Sequence, residues 1–113
     1  MQRRDHTRYQ LWFPVQLESS AKPVVAMTHN IGAGGMLMAL TRAIEVDEPV
    51  VVTFRLPPPS GREYSLRGRV MRIEANTADP EGGWPHRIAV AFDEVAPELL
   101  PYLEDAQRFG QMS

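Results

Sequence analysis

The sequence predicts an all-β domain, a small antiparallel barrel with one helix at its C-terminal end. Three observations carry that prediction. Apolar and polar residues alternate with period two in short runs through most of the chain. Clusters of Gly, Pro, Asn and Ser separate those runs and supply turns. After Asp93 the apolar residues shift to helical spacing. Many short strands within 113 residues favour closure, because a closed barrel leaves no unpaired strand edge.

Leu11, Phe13, Val15 and Leu17 fall on one side of the first run, with Trp12, Gln16 and Glu18 on the other, the pattern of a half-buried strand. Pro14 inside it predicts an edge position or a bulge. Residues 19–23 form a turn, and the Val-rich residues 23–29 a second strand. The glycine-dense stretch Asn30-Ile31-Gly32-Ala33-Gly34-Gly35 breaks the pattern before a short apolar strand over residues 36–40. Val50, Val52, Phe54 and Leu56 alternate with Val51, Thr53 and Arg55. Pro57-Pro58-Pro59-Ser60-Gly61 cannot pair in a sheet and forms a loop. Tyr64, Leu66, Gly68 and Val70 alternate again, then the phase slips to Met71 and Ile73, which predicts a bulge near Val70.

Residues 76–85 are a polar loop, and Ile88, Val90 and Phe92 mark the last strand. Val95, Leu99, Leu100, Leu103 and Phe109 lie near helical spacing, with Leu99, Leu100 and Leu103 expected to cover an open end of the barrel. Pro97 suits a first helical turn, and Pro101 moves the start of the regular helix towards itself. The expected organisation is a single domain without internal repeats: an N-terminal arm over residues 1–9, a barrel over 10–94 and a helix over 95–110.

Composition excludes several functions. The chain has no cysteine, hence no disulfide framework, Cys-ligated zinc or thiol nucleophile. Nothing approaches the run of roughly 18 apolar residues that spans a membrane, and the apolar stretch over residues 11–15 is too short for a signal-peptide core. A cytoplasmic protein without membrane insertion is the expectation. With 12 basic and 14 acidic residues the formal net charge is -2, which argues against bulk electrostatic binding of nucleic acid. Only Lys22 is a lysine, and every other basic residue is arginine, whose planar fork suits phosphate and the guanine edge. A GC-rich coding sequence produces the same bias.

Two local features carry chemistry. In Arg3-Arg4-Asp5-His6-Thr7-Arg8 the pair Arg4 and Arg8 is spaced by four, which aims both guanidiniums the same way in a strand and nearly so in a helix. Two such forks can grip two phosphates, or one can lie over a purine face while the other binds phosphate. The arm is expected to be flexible until a ligand or the domain body holds it. The glycine cluster lets backbone approach a ligand closely, and the Asn30 amide both donates and accepts.

In this order the two features resemble the PilZ domain family, whose pattern is Arg-x-x-x-Arg near the start, a strand, then Asp/Asn-x-Ser-x-x-Gly at the entry to a later strand. Arg4 and Arg8 match the first motif, and Asn30 and Gly35 match the ends of the second. Gly32 stands where the pattern has serine. Pro14-Val15, Met36-Leu37, Arg69-Val70 and Ile88-Ala89-Val90-Ala91-Phe92 occupy the supporting positions, so the resemblance runs from Arg3 to about Phe109.

The resemblance implies a six-stranded antiparallel barrel with a C-terminal helix. It also implies a bacterial second-messenger receptor for cyclic di-GMP that regulates a protein partner in trans, in motility, pilus, biofilm or secretion. The implied ligand-binding residues are Arg3, Arg4, Arg8, Asn30, Gly32 and Gly35, with cyclic di-GMP as ligand and no cofactor, metal or catalytic residue. A monomer or a homodimer fits equally. The alternative is a degenerate adaptor of the same fold that binds no nucleotide and works through protein contacts, and Gly32 motivates it.

His6, His29 and His86 match no compact metal motif and read as surface or edge residues, two of which, His29 and His86, are candidates for the ligand rim. Ser19, Ser20 and Ser65 lack a nucleophile context, so no enzyme is expected. Trp84, in a glycine–proline loop, is either a base-stacking platform or a residue packed over the barrel end.

Overall fold

Most of the six strands form where β-branched and large apolar residues alternate with polar ones, and glycines follow β2 and prolines follow β4. The structure, a computed structural model, describes residues 8–19, 23–42, 44–77 and 82–111. The strands are β1 (Pro14–Glu18), β2 (Val24–Ile31), β3 (Gly35–Leu40), β4 (Pro49–Arg55), β5 (Glu63–Ala75) and β6 (His86–Phe92). They close in the order β1-β2-β3-β6-β5-β4, with every neighbouring pair antiparallel. A 3₁₀ turn (Pro97–Leu99) leads into the helix α1 (Leu100–Gln111). The expected barrel-plus-helix fold is therefore the observed one.

The inward residues fill the barrel. Phe13, Val15 and Leu17 of the first run, and Val50, Val52, Phe54 and Leu56 of the fourth, are buried as their alternation predicts. Pro14 is not at an edge, since a closed barrel has none. It opens β1, the position at which a missing N–H interrupts least of the ladder. Thr28 is fully buried and holds the entry to β1: its Oγ1 donates to the Leu11 carbonyl at 2.6 Å and accepts from the Phe13 N–H at 3.0 Å.

The break after the second strand is shorter than its glycine content predicts. Asn30 and Ile31 belong to β2, Gly35 opens β3, and only residues 32–34 turn. The ladder to β3 carries on through Asn30–Leu37 and Ile31–Met36, and a further partner joins on the other side. Tyr9 forms a bridge with Ile31, its N–H donating at 2.8 Å and its carbonyl accepting at 3.0 Å, so the segment before β1 extends the ladder along β2.

The predicted phase slip in β5 is present. Val70 pairs with Val90 and Arg72 with Ala89, leaving Met71 as the extra residue, 56% exposed rather than on the buried parity. A second bulge, absent from the sequence reading, lies in β2: Thr28 pairs with Met38 and Asn30 with Leu37, leaving His29 unpaired in the ladder.

Helix α1 begins at Leu100 with Pro101 in its first turn, where the missing N–H breaks no bond. Its buried residues are Leu103 and Ala106, continued by Leu99 of the 3₁₀ turn, while Val95 and Phe109, assigned to the apolar stripe, are 54% and 48% exposed. Val95 precedes the helical segment, so helical periodicity does not constrain it. Leu99 and Leu103 join the barrel core, with Leu100 packed against it. The Arg62 guanidinium lies 5.0 Å over the Tyr102 ring and ties α1 to the β4–β5 loop. The β2–β3 turn is fastened at the same end: the Phe92 N–H donates to Gly34 and the Ala96 N–H to Ala33.

Candidate functional site

The outer faces of β3, β6 and β5 form a shallow groove of about 590 Å³. Its floor exists because β6 alternates large residues inward with small ones outward: Ile88, Val90 and Phe92 are buried, while Ala89 and Ala91 face the groove. Gly35 continues the floor on β3, directly opposite Ala91. A Cβ at Gly35 would collide with the Val90 carbonyl oxygen, so close approach of β6 to β3 dictates this glycine. Gly68 plays the same part on β5, where a Cβ would lie 2.5 Å from the Ala91 carbonyl oxygen.

Arg8 and Asn30 meet at one side of the groove. The Arg8 Nε and Nη2 both donate to Asn30 Oδ1, at 3.0 and 2.6 Å. The Tyr9–Ile31 bridge is antiparallel, so Arg8 lies by Gly32 and Gln10 by Asn30, and the long Arg8 side chain reaches Asn30 diagonally. Arg8 also borders a second cleft of about 550 Å³, shared with Ala106, Gln107 and Gly110 of α1. One side chain thus stands between the groove and the helix.

Of the residues singled out from the sequence, Arg8, Asn30 and Gly35 come together at the groove. Gly32 is buried, its N–H donates to the Gly35 carbonyl at 2.9 Å, and Gly34 rather than Gly32 lines the groove. Arg3, Arg4 and His6 lie outside the described residues. His29 stacks on Trp12 with ring centroids 5.4 Å apart. Burial, and secondarily the positive charge of Arg87, hold its imidazole below the usual histidine range. His86 and Trp84 lie at the β5–β6 turn, the end of the barrel opposite Tyr9 and the β2–β3 turn, away from the groove. There the Trp84 carbonyl accepts from the buried Asn76 amide at 2.7 Å.

Sequence reasoning missed Leu37, Ala89, Ala91 and Arg72, all of which face the groove. Two signals were available. The large–small alternation over residues 88–92 marks a strand with a flat outer face, and the phase slip at Met71 turns Arg72 outward. Among the described residues, no cluster of His, Asp or Glu could hold a metal ion, and no helix is long and apolar enough to cross a membrane.

Comparison with known structures shows the same architecture. A Bacillus subtilis inhibitor of motility, MotI/DgrA, superposes with a TM-score of 0.74 at 22% identity, over 100% of this chain and 53% of that one, so the present chain spans about half of its length. The PilZ domain of YcgR from Escherichia coli, solved with c-di-GMP, gives a TM-score of 0.75 at 13% identity, covering 98% and 96% of the two chains. The PilZ domain of CeSA from a cellulose-synthesizing bacterium gives 0.59 at 18% identity, covering 95% and 99%. None of the curated proteins compared matches the chain. The PilZ domain model matches residues 2–106, nearly the whole sequence. The groove flanked by Arg8 and Asn30 is therefore that of a chain belonging to the PilZ domain family.

Proposed function

We propose that this chain is a non-catalytic cytoplasmic receptor for cyclic di-GMP that passes the signal to a protein partner in trans. The observation that carries this reading is the Arg8–Asn30 pair at the mouth of a groove with a small-residue floor. Arginine offers a phosphate or a guanine edge its fork, and Asn30 offers an amide to a base edge. Small outward residues leave room for a purine to lie flat against the strands. Family membership supports the ligand assignment, as does the related PilZ domain solved with c-di-GMP.

Arg3 and Arg4 complete the ligand set in this proposal, with Gly34 and Gly35 at the edge of the floor. Because Arg8 borders both the groove and the cleft along α1, drawing Arg8 onto a phosphate changes the surface offered beside Gln107 and Gly110. That is a route from ligand to partner.

Isothermal calorimetry tests the reading. Cyclic di-GMP should release heat with a stoichiometry of one or two, and Arg8→Ala should remove most of the affinity, since hydrogen bonds to a charged group contribute about 1.5–3 kcal/mol each. Absence of heat at high micromolar ligand rejects it. The second reading, a nucleotide-independent adaptor, is favoured by Gly32 alone, which lacks the hydroxyl of the family pattern. A partner captured equally by the unaltered chain and by Arg8→Ala, without nucleotide, would support it.

A further inference from the structure

The two bulges act on one row of side chains. Before its bulge, β2 points Val24, Ala26 and Thr28 inward; the extra residue His29 then turns Asn30 outward and Ile31 inward. Before its bulge, β5 points Gly68 and Val70 inward; the extra residue Met71 then turns Arg72 outward. The register aligns the results. Asn30 pairs with Leu37, Leu37 with Ala89, and Ala89 with Arg72, so the four residues form one row across β2, β3, β6 and β5. Three interstrand steps separate Asn30 from Arg72, about 14 Å. The groove therefore has the Arg8–Asn30 pair on one side, an apolar floor, and Arg72 on the other.

Arg72 is also loosely held. Arg69 donates to the Asp47 carbonyl at 2.9 Å, and Arg87 pairs with Glu74 at 2.7 Å. Arg72 reaches the same Glu74 at 3.8 Å, with 60% of its side chain exposed. An exposed pair of that length contributes little and restrains the side chain weakly.

We infer that Arg72 is a far-side ligand contact, which takes the second phosphate or lies over the second purine of a cyclic dinucleotide whose first half is held at Arg8 and Asn30. The inference rests on the receptor reading and adds a specificity to it. A ligand with one base and one phosphate engages the Arg8 side without Arg72. A dinucleotide engages both, so the groove discriminates by span. The guanidinium suits either contact, being planar, weakly hydrated and permanently charged.

Calorimetric titration of the unaltered chain, Arg72→Ala and Arg72→Gln with cyclic di-GMP, and in parallel with GMP, tests this. Both variants should bind cyclic di-GMP at least about tenfold more weakly, change GMP binding by less than about twofold, and melt like the parent because the position is exposed. Parent-like affinity for cyclic di-GMP in both variants overturns the role of Arg72 and leaves the receptor reading standing. An equal loss for both nucleotides also overturns it, since Arg72 would then act on the Arg8 side. No heat from the unaltered chain with cyclic di-GMP removes the receptor reading and this role with it.

Discussion

Alanine at Gly35 introduces one methyl group where β3 and β6 run close together. That methyl would meet the Val90 carbonyl oxygen, with the Ala91 Cα 3.2 Å away, and none of these atoms belongs to a flexible side chain. Val90 and Ala91 are fixed by ladders on both sides, to β3 and to β5, so β6 cannot shift without straining a second pair. Gly-to-Ala replacement ordinarily stabilises by about 0.4–1 kcal/mol through the unfolded chain. Overpacking a tight site costs about 1–3 kcal/mol, so Gly35→Ala should be net destabilising, by about 1–2 kcal/mol. For a domain of this size about 1 kcal/mol corresponds to about 4–8 °C, so differential scanning fluorimetry should show a melting point lower by about 5–15 °C. Gly83→Ala is the matched control: nothing lies within 4 Å of the added methyl, and its melting point should equal or slightly exceed that of the parent. A Gly35→Ala variant that melts at or above the parent would refute the close-approach argument, and with it the claim that this glycine is set by the fold.

Thr28→Val keeps the shape of a buried side chain but removes the hydroxyl between Leu11 and Phe13. It leaves the Phe13 N–H unpaired, costing about 1–3 kcal/mol, which urea unfolding should show as a lower midpoint. Gly32→Ser restores the hydroxyl of the family pattern and should tighten cyclic di-GMP two- to tenfold, the worth of about 0.5–1.5 kcal/mol; unchanged affinity would mean that serine has no role there. His29 titrates below its ordinary value of 6.5 when folded, so the unfolded chain takes up the proton first. Its contribution to stability is present above that value and is lost as pH falls through the lowered one. The unfolding midpoint should therefore decline less with acidification in His29→Gln than in the parent.

The inward residues of the barrel were legible because a buried strand face writes itself as alternation, and Val50 to Leu56 read correctly residue by residue. Where the reading failed, a long-range partner intervened. Asn30 and Ile31 looked like the start of a loop beside three glycines, yet Leu37 and Met36 across the turn pair with them, and Tyr9, far away in sequence, adds a bridge to Ile31. His29 could not be seen as a bulge because its neighbours carry no phase slip in apolar residues; Met71 could, because Val70 and Ile73 do. The site was legible in the same measure. Arg8 and Asn30 stood out by motif and do touch. Gly35 stood out for the same reason, although its missing side chain answers to Val90. Arg72 carried no motif, and only the register brings it to the groove.

The magnitudes bear on whether Gly32 converts a receptor into an adaptor. The missing serine hydroxyl removes one neutral hydrogen bond, about 0.5–1.5 kcal/mol. Even an unpaired ligand donor raises that only to about 3 kcal/mol. A charge-assisted contact contributes about 1.5–3 kcal/mol, and the groove presents two arginines, Arg8 and Arg72, on opposite sides of its floor. Either arginine therefore outweighs the neutral bond lost at position 32. If the chain binds as proposed, a dinucleotide that reaches both cations loses the same amount as a mononucleotide limited to the Arg8 side, but from a larger total. In the receptor reading, then, Gly32 weakens binding rather than ending it, and Gly32→Ser should tighten cyclic di-GMP and GMP by the same factor, leaving the ratio of their affinities unchanged.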